Sequence, residues 1–447
     1  MSSVPVTAET LPLRYHSTRD PEARVLFSQA LLQGLAPDGG LYVPTCWPKL
    51  SPREFTGVSR LADFAGKLLT PFLGDDPLLG ELQPIVTEAF NFPAPLIELE
   101  ADGALSVLEL FHGPTAAFKD FGARFLAAGF ARLRATATTP LLILVATSGD
   151  TGGAVAAAFH RRPGVRVGVL FPKGLVSPIQ QRQLTCWGDN VQSCAVRGTF
   201  DDCQKLVKQA FLDESWRGEV QLSSANSINL GRLLPQAVYY AASSLQVWQR
   251  YGEPASYVIP SGNLGNALAC IWARQVGLPI DRIVLAHNAN RTVPEFLQSG
   301  SWQPRASIAT LASAMDVGEP SNMERLRSLF PQLSALRTAV TADSVDDEHI
   351  RTRIRRGFDE YGQIWCPHTA TGAEVFARLR ARGVIRNGHW ILVATAHPAK
   401  FAEIVEPLIA RPVQVPESLA ALLARQTQCI EIEPQLSALR SALRGRE

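Results

Sequence analysis

From about residue 105 onward the chain repeats one pattern: an apolar run of strand length, a turn, and a segment with helical spacing. Apolar runs fall at 105–111, 141–146, 165–171, 191–196, 256–259, 282–287 and 390–395; helical segments at 178–185, 200–212, 227–251 and 265–275 lie between them. These runs are apolar on both faces rather than alternating, so each strand has to be covered above and below. Such strands alternating with helices specify parallel sheets with helices on both sides, an α/β architecture in three layers. At 447 residues the chain exceeds a single core, and about three domains is the expectation from length.

Residues 1–97 read as a small, mainly helical region. A helix is expected over 24–35, a turn cluster at Pro37-Asp-Gly-Gly40, a short strand over 41–44, and helices near 59–72 and 76–91. Past 412 the spacing is helical and polar, which reads as a tail packed on the body.

Composition narrows the function classes. With 46% hydrophobic and 19% charged residues the chain is an ordinary globular protein, and a net charge of +2 gives no footprint for nucleic acid or a membrane surface. The densest basic cluster, Arg351, Arg353, Arg355 and Arg356, follows Asp346, Asp347 and Glu348 and reads as a solvated helix face. No signal peptide is visible at the N-terminus, and the longest apolar stretch, 140–146, is far shorter than a membrane span. Seven scattered cysteines without a CxxC pair suggest reduced thiols and a cytoplasmic location. Eight histidines without an HxxxH or HExxH pair argue against a protein-built metal site.

Chemistry enters at His112-Gly-Pro-Thr-Ala-Ala-Phe-Lys119-Asp120. A strand leads into this stretch, and Phe118, Phe121, Phe125 and Ala128 mark one buried helix face after it, so Lys119 falls in the first turn of a buried helix. Partial desolvation there loosens the proton of an ammonium, which is how a lysine becomes a nucleophile for a carbonyl. The alternative is a lysine snorkelling from the helix start to solvent. Two glycine-rich turns, Ser148-Gly-Asp-Thr-Gly152 and Ser261-Gly-Asn-Leu-Gly265, each follow a strand and open a helix. Such turns let backbone N–H groups and a helix N-terminus approach an anion, although many serve only as tight turns and caps. Neither is a Walker loop or a GxGxxG fingerprint. A cofactor that offers an aldehyde to a lysine and a phosphate to a glycine loop is pyridoxal phosphate.

The motifs His112-Gly-Pro-Thr-x-x-Phe-Lys119-Asp, Ala146-Thr-Ser-Gly-Asp-Thr-Gly152, Ser224-Ala-Asn-Ser-Ile-Asn229 with Arg232, Pro260-Ser-Gly-Asn263, Ala314-Met-Asp316 with Pro320-Ser-Asn322, and Ala394-Thr-Ala-His-Pro-Ala-Lys-Phe401 resemble the threonine synthases of the long bacterial and fungal branch. Pro37-Asp-Gly-Gly-Leu-Tyr-Val-Pro44 matches the N-terminal region of that family. The resemblance runs from about Tyr15 to Glu406. It implies the fold type II of pyridoxal-phosphate enzymes, like the tryptophan synthase β chain: two parallel-sheet three-layer α/β domains behind a mainly helical N-terminal domain. The expected division is 1–97 for the N-terminal domain, 98–130 with 222–412 for a large cofactor-binding domain, 131–221 for a small mobile domain, and 413–447 for a helical tail.

By that resemblance Lys119 is the Schiff-base lysine, Gly262, Asn263, Leu264, Gly265 and Asn266 bind the cofactor phosphate, and Thr395 stands at the pyridine nitrogen. Thr147, Ser148, Asp150 and Thr151 form the loop facing the substrate amino acid, while Ser224, Asn226 and Arg232 are candidates for its phosphate and carboxylate. His112 and Thr115 are further substrate candidates beside the lysine. His368, in Pro367-His368, is read as a satisfied structural group. The family's usual phosphate loop is Gly-Asn-Phe-Gly-Asp, whereas Leu264 and Asn266 stand at its third and last positions here. The implied activity is a carbon–oxygen lyase acting on phosphates, which turns O-phospho-L-homoserine and water into L-threonine and phosphate at the end of threonine biosynthesis. The implied partner is that small-molecule substrate, with a monomer or homodimer as the assembly. Two alternatives are a phospho-lyase that releases a keto acid and a catalytically silent protein that binds a phosphorylated metabolite.

Overall fold

The computed structural model describes residues 12–100, 104–137, 139 and 141–444. The first eleven residues of the expected N-terminal domain, Pro140 of the apolar stretch and the last three residues of the expected tail therefore lie outside the described residues. Strands are numbered along the chain. In the N-terminal region β1 (Tyr15–Ser17), β2 (Arg24–Val25) and β3 (Tyr42–Pro44) form a small antiparallel sheet in the order β2-β1-β3. The helices Phe27–Gln33, Leu61–Leu73 and Leu82–Ala89 make up most of the rest. The helix expected over 24–35 starts only at Phe27, because Arg24 and Val25 pair with β1 instead.

Two larger sheets carry the remainder. One contains β4 (Leu96–Glu98), β5 (Leu105–Glu109), β10 (Ala255–Pro260), β11 (Ile280–His287), β12 (Thr341–Ser344) and β13 (His389–Ala394) in the order β12-β11-β10-β13-β5-β4. All its neighbours are parallel except β4, which runs antiparallel to β5 at the edge. The other contains β6 (Leu141–Ala146), β7 (Val165–Pro172), β8 (Val191–Val196), β9 (Gln221–Ser224) and β14 (Ile430–Ile432), all parallel, in the order β14-β8-β7-β6-β9. Every residue of β6 is buried, as its unbroken apolar run requires of a central parallel strand.

The five-stranded sheet draws on segments that the sequence placed elsewhere. Its β9 comes from the start of the segment assigned to the larger domain, and β14 comes from the segment read as a purely helical tail. Strands of three or four residues are too short to show a period, so neither was visible in the pattern. The helix expected over 227–251 is broken into Leu230–Leu233, a 3-10 turn Leu234–Gln236, and Ala237–Tyr251. Pro235 lies at the break, where its missing N–H and its ring are incompatible with a helix interior. Arg232, in the short helix before the break, is only 2% exposed. The arginine cluster at 351–356 is also less solvated than expected: Arg353 is buried and pairs with Glu374 at 2.9 Å. All seven cysteines are free thiols. Among the described residues no helix is long and apolar enough to cross a membrane.

Candidate active site

One cavity collects the ends of both large sheets. Its lining includes Lys119 on the segment after β5, Ala146, Thr147, Ser148, Asp150 and Thr151 after β6, Asn226 and Ser227 after β9, Pro260–Ala267 after β10 and Thr395 after β13. Those are carboxyl ends of parallel strands, where open α/β sheets bind ligands. Phe200 and Gln204, from the helix Phe200–Leu212, reach the same cavity, as do Ala314, Met315, Val317 and His368.

Lys119 is the first residue of the helix Lys119–Leu133 and is partly open to the cavity. Protein surrounds it on the other sides, and that burial pulls its amine down from 10.5 to about 8; Arg232 and Lys400 push the same way, while Asp150 opposes them. Its approach is set by the strand pairing. The Phe118 N–H donates to the Thr395 carbonyl oxygen at 2.9 Å, so Thr395 is fixed beside the lysine.

The loop after β6 is held by its own first hydroxyl. Thr147 Oγ1 accepts from the N–H groups of Gly149 at 3.0 Å and Gly152 at 2.9 Å, which shapes the start of the helix Asp150–Phe159. Gly149 has φ 140°, and a β-carbon there would lie 2.5 Å from the Gln180 side-chain amide carbon; only glycine fits this conformation and this contact. Asp150 is buried and accepts from Gln180 Nε2 at 2.9 Å and Lys400 Nζ at 2.8 Å. Although burial opposes it, the neighbouring Lys400, Lys119 and His368 hold the Asp150 carboxyl well below the usual carboxylate range. Ser148 and Thr151 line the cavity beside it.

After β10 the backbone closes tightly. A β-carbon at Gly262 would come within 2.8 Å of the Met315 Cα atom. Leu264, buried, adopts the left-handed conformation at φ 62° just before the helix Gly265–Gln275. A non-glycine residue there stores strain of roughly 1–3 kcal/mol, a feature that clusters at ligand sites. Asn263 accepts from the Ser321 N–H at 2.6 Å, and its own carbonyl oxygen accepts from Asn322 Nδ2 at 2.9 Å, so the loop is pinned from outside. Asn266 Oδ1 accepts from the hydroxyls of Tyr239 at 2.6 Å and Tyr240 at 2.8 Å.

Three buried polar atoms on cavity-lining residues have no hydrogen-bond partner: Asn266 Nδ2, Arg232 Nε and Asn226 Oδ1. Buried polar groups rarely stay unpaired. Two of these are donors, and one sits at a helix start whose dipole favours negative charge. Burial lowers the Arg232 guanidinium to about 10, which leaves it cationic near neutral pH. A nucleophilic amine in a cavity whose lining residues carry unpaired donors on two separate segments fits a phosphate-bearing aldehyde and a second anion. The residues present therefore suit pyridoxal phosphate.

Not every expected residue reaches this cavity. His112 is exposed and its Nε2 pairs with Glu109 at 2.7 Å, away from the cavity lining. Thr115 is fully buried, with its Oγ1 and N–H both donating to Asp120 at 2.7 and 2.8 Å; it shapes the turn before Lys119. Ser224 also lies off the lining, and its Oγ accepts from the Asn226 N–H at 3.3 Å. These residues are neighbours of cavity residues in sequence, but the chain turns point them elsewhere. His368 does line the cavity, and its Nε2 accepts from the Ala314 N–H at 3.0 Å, as a satisfied neutral imidazole would. Phe200, Gln204 and Gln180 carried no sequence signal, because each comes from a segment remote from the glycine loops, while Lys400 lay inside the motif 394–401 without a role being read for it.

Three family models match the chain: "Pyridoxal-phosphate dependent enzyme" over residues 88–396, "Threonine synthase N terminus" over 14–90, and "Threonine synthase, C-terminal" over 369–443. The threonine synthase of Escherichia coli (strain K12) is 40% identical over 412 residues, which is 91% of this chain and 94% of that protein. The chain belongs to the threonine synthase family. The crystal structure of the Escherichia coli threonine synthase superposes with a TM-score of 0.89 at 37% identity, covering 97% of this chain and 100% of that one. A pyridoxal-phosphate-bound threonine synthase from Brucella melitensis superposes at 0.87 with 34% identity, covering 97% and 99%. Pyridoxal phosphate is accordingly the cofactor of this threonine synthase family member, whose fold is the fold type II α/β architecture.

Proposed function

We infer that the chain catalyses the threonine synthase reaction, converting O-phospho-L-homoserine and water into L-threonine and phosphate. The observation that carries this reading is that Lys119, Asn266 and Arg232 line one cavity, the last two each with an unpaired buried donor, Asn266 Nδ2 and Arg232 Nε. Two donor sets suit two anions, one on the cofactor and one on the substrate. We assign Gly262, Asn263, Leu264, Gly265 and Asn266 to the cofactor phosphate, Lys119 to its aldehyde and Thr395 to its ring nitrogen. Bound there, the cofactor supplies an electron sink for negative charge developing at the substrate Cα and Cβ atoms.

The protein's residues then divide the work. Lys119 Nζ, freed by the incoming amino group, takes the proton from Cα, and an amine lowered to about 8 is matched to that task near neutral pH. Arg232, Asn226, Ser148 and Thr151 hold the substrate's phosphate and carboxylate, with Arg232 able to present a fork of donors. They orient Cγ so that, once Cβ has also given up a proton, the phosphate departs with the Cγ–O bond pair. Cγ then gains a proton, and water adds its oxygen at Cβ and a proton at Cα. Asp150 and Thr147 hold the loop in shape rather than touch the reacting carbons. Thr395, a neutral hydroxyl, leaves the ring nitrogen a milder sink than a carboxylate partner would. The chain division proposed from the sequence assigns the loop from Ser148 to Gly152 to a smaller unit that closes over the substrate and excludes bulk water.

Incubation with O-phospho-L-homoserine, followed by identification of the carbon product and assay of phosphate, tests the reading. Threonine and phosphate in equal amounts are expected. Release of a keto acid without threonine would make the chain a phospho-lyase, and binding without phosphate release would make it a silent sensor.

A further inference from the structure

Lys400 has no part in the assignments above, although it is the lysine most withdrawn from solvent in the site. It lies in the 3-10 turn Pro398–Phe401 after β13, and its side chain is fully buried. A buried ammonium is costly unless every donor finds an acceptor. Two acceptors meet it at 2.8 Å: Asp150 Oδ1 at the start of the helix after β6, and the Thr115 carbonyl oxygen in the turn before Lys119. The same two anchors receive further bonds from one helix of the five-stranded unit, Pro178–Thr185. Gln180 Nε2 donates to Asp150 at 2.9 Å, and Gln183 Nε2 donates to the Thr115 oxygen at 3.0 Å. Ser177 Oγ, at the cap of that helix, donates to the Lys400 carbonyl oxygen at 3.0 Å.

We propose that Lys400 is a positioning residue of the active site, pinning Asp150 of the five-stranded unit to the turn that carries Lys119 and neutralising the carboxylate nearest that amine. Replacing a buried ion pair by apolar side chains often costs nothing in stability, so stability alone does not account for this one. Its effect falls on Lys119. The charged groups around Lys119 are Asp150, Arg232 and Lys400; those around Asp150 are Lys400 and Lys119, with the His368 imidazole, kept neutral by burial, beside them. Without Lys400, Lys119 becomes the nearest remaining amine for the Asp150 carboxylate, which then favours a proton on Lys119 nitrogen. With Lys400 in place the carboxylate is occupied, and the Lys119 nitrogen is left to gain and lose its proton within the working range. The geometric consequence is as direct, because the ammonium, together with Gln180 and Gln183, ties the loop at Ser148–Thr151 to the turn before Lys119.

This inference rests on Lys119 being the cofactor's anchor, and its test separates the two. In the pyridoxal-phosphate-loaded protein, the pH midpoint of the cofactor's visible absorbance band is measured for the parent, Lys400→Met, Asp150→Asn and the double variant. Circular dichroism checks that each is folded. In Lys400→Met the midpoint is expected to rise by about one unit, tenfold in proton affinity; in Asp150→Asn it is expected to fall; in the double variant it returns toward the parent. KM for O-phospho-L-homoserine should rise in Lys400→Met while the double variant recovers part of it. An unchanged midpoint in folded Lys400→Met overturns the proposal. If that variant does not fold, an unchanged midpoint in Asp150→Asn overturns it instead. A visible band that survives Lys119→Ala would refute the anchor reading, whatever Lys400 does.

Discussion

An amine that gives up its proton near pH 8 meets an aldehyde far more readily than one that waits until 10.5. The lowering at Lys119 comes first from burial and then from Arg232 and Lys400, and its sign sets a pH dependence. The neutral fraction grows about tenfold per unit below the midpoint and levels off above it. The rate at which cofactor-free protein captures pyridoxal phosphate, followed by stopped-flow absorbance, should therefore climb to about pH 8 and then flatten. A rate still climbing steeply toward pH 10 would mean an ordinary lysine. Asn266 is the second residue with a measurable signature, since its oxygen takes two tyrosine hydroxyls and its nitrogen is unpaired. Asn266→Ala strands the Tyr240 hydroxyl and should cost about 1–3 kcal/mol in denaturant unfolding of the cofactor-free protein. The affinity for the cofactor should fall roughly tenfold at the same time. Lys119 was legible in the sequence because a strand, a turn and a buried helix face surround it locally. Lys400 stood inside the motif 394–401, but its role was not legible, because only the fold brings it to Asp150, a residue far away in the chain. His112 and Thr115 show the converse: a Gly-Pro turn separates His112 from Lys119, and Thr115 is drawn onto Asp120, so adjacency in sequence did not put either at the cavity.

Among the elements, the loop after β6 is the most tightly specified. Gly149 at φ 140° packs its bare Cα against the Gln180 amide that holds Asp150. Gly149→Ala should impose about 1–3 kcal/mol of strain and push Gln180 aside, lowering kcat/KM by roughly ten- to hundredfold. Steady-state kinetics with O-phospho-L-homoserine would show it, and parent-like kinetics would mean that the loop relaxes without cost. The long apolar strands β6, β7, β8, β10, β11 and β13 could be read from the sequence because a central parallel strand must be apolar on both faces. The edge strands β4, β9, β12 and β14 could not, since three or four residues fix no period and edges tolerate polar side chains. Pro235 was visible in the sequence, yet the helical spacing on both sides of it masked the break.

At the scale of the molecule, the sheets are joined by chain that crosses between them several times. The C-terminal segment belongs to the smaller sheet's core: Leu439 and Leu443 are buried with Leu142, Leu144 and Leu170, and Ile432 extends β14 along β8. Leu439→Ala should destabilise this unit by roughly 2–5 kcal/mol, read as an earlier denaturant transition than in the parent. An unchanged transition would mean that the helix Leu436–Arg444 is only loosely attached. The two-sheet α/β architecture was legible in the sequence as a whole, while the assignment of β9 and β14 to the smaller sheet required the pairing itself.

The pairing of β14 with β8 also sets an order of events during synthesis. β8 leaves the ribosome before most of the six-stranded sheet exists, and β14 emerges only after every strand of that sheet has been made. At about 5–20 residues per second, the open edge of β8 waits on the order of ten seconds or more for its partner. During that interval an unpaired parallel edge and the apolar floor under Leu439 stand exposed to other nascent chains. A chaperone that shields this edge would raise the folded yield more than one acting on the N-terminal region, which is complete early.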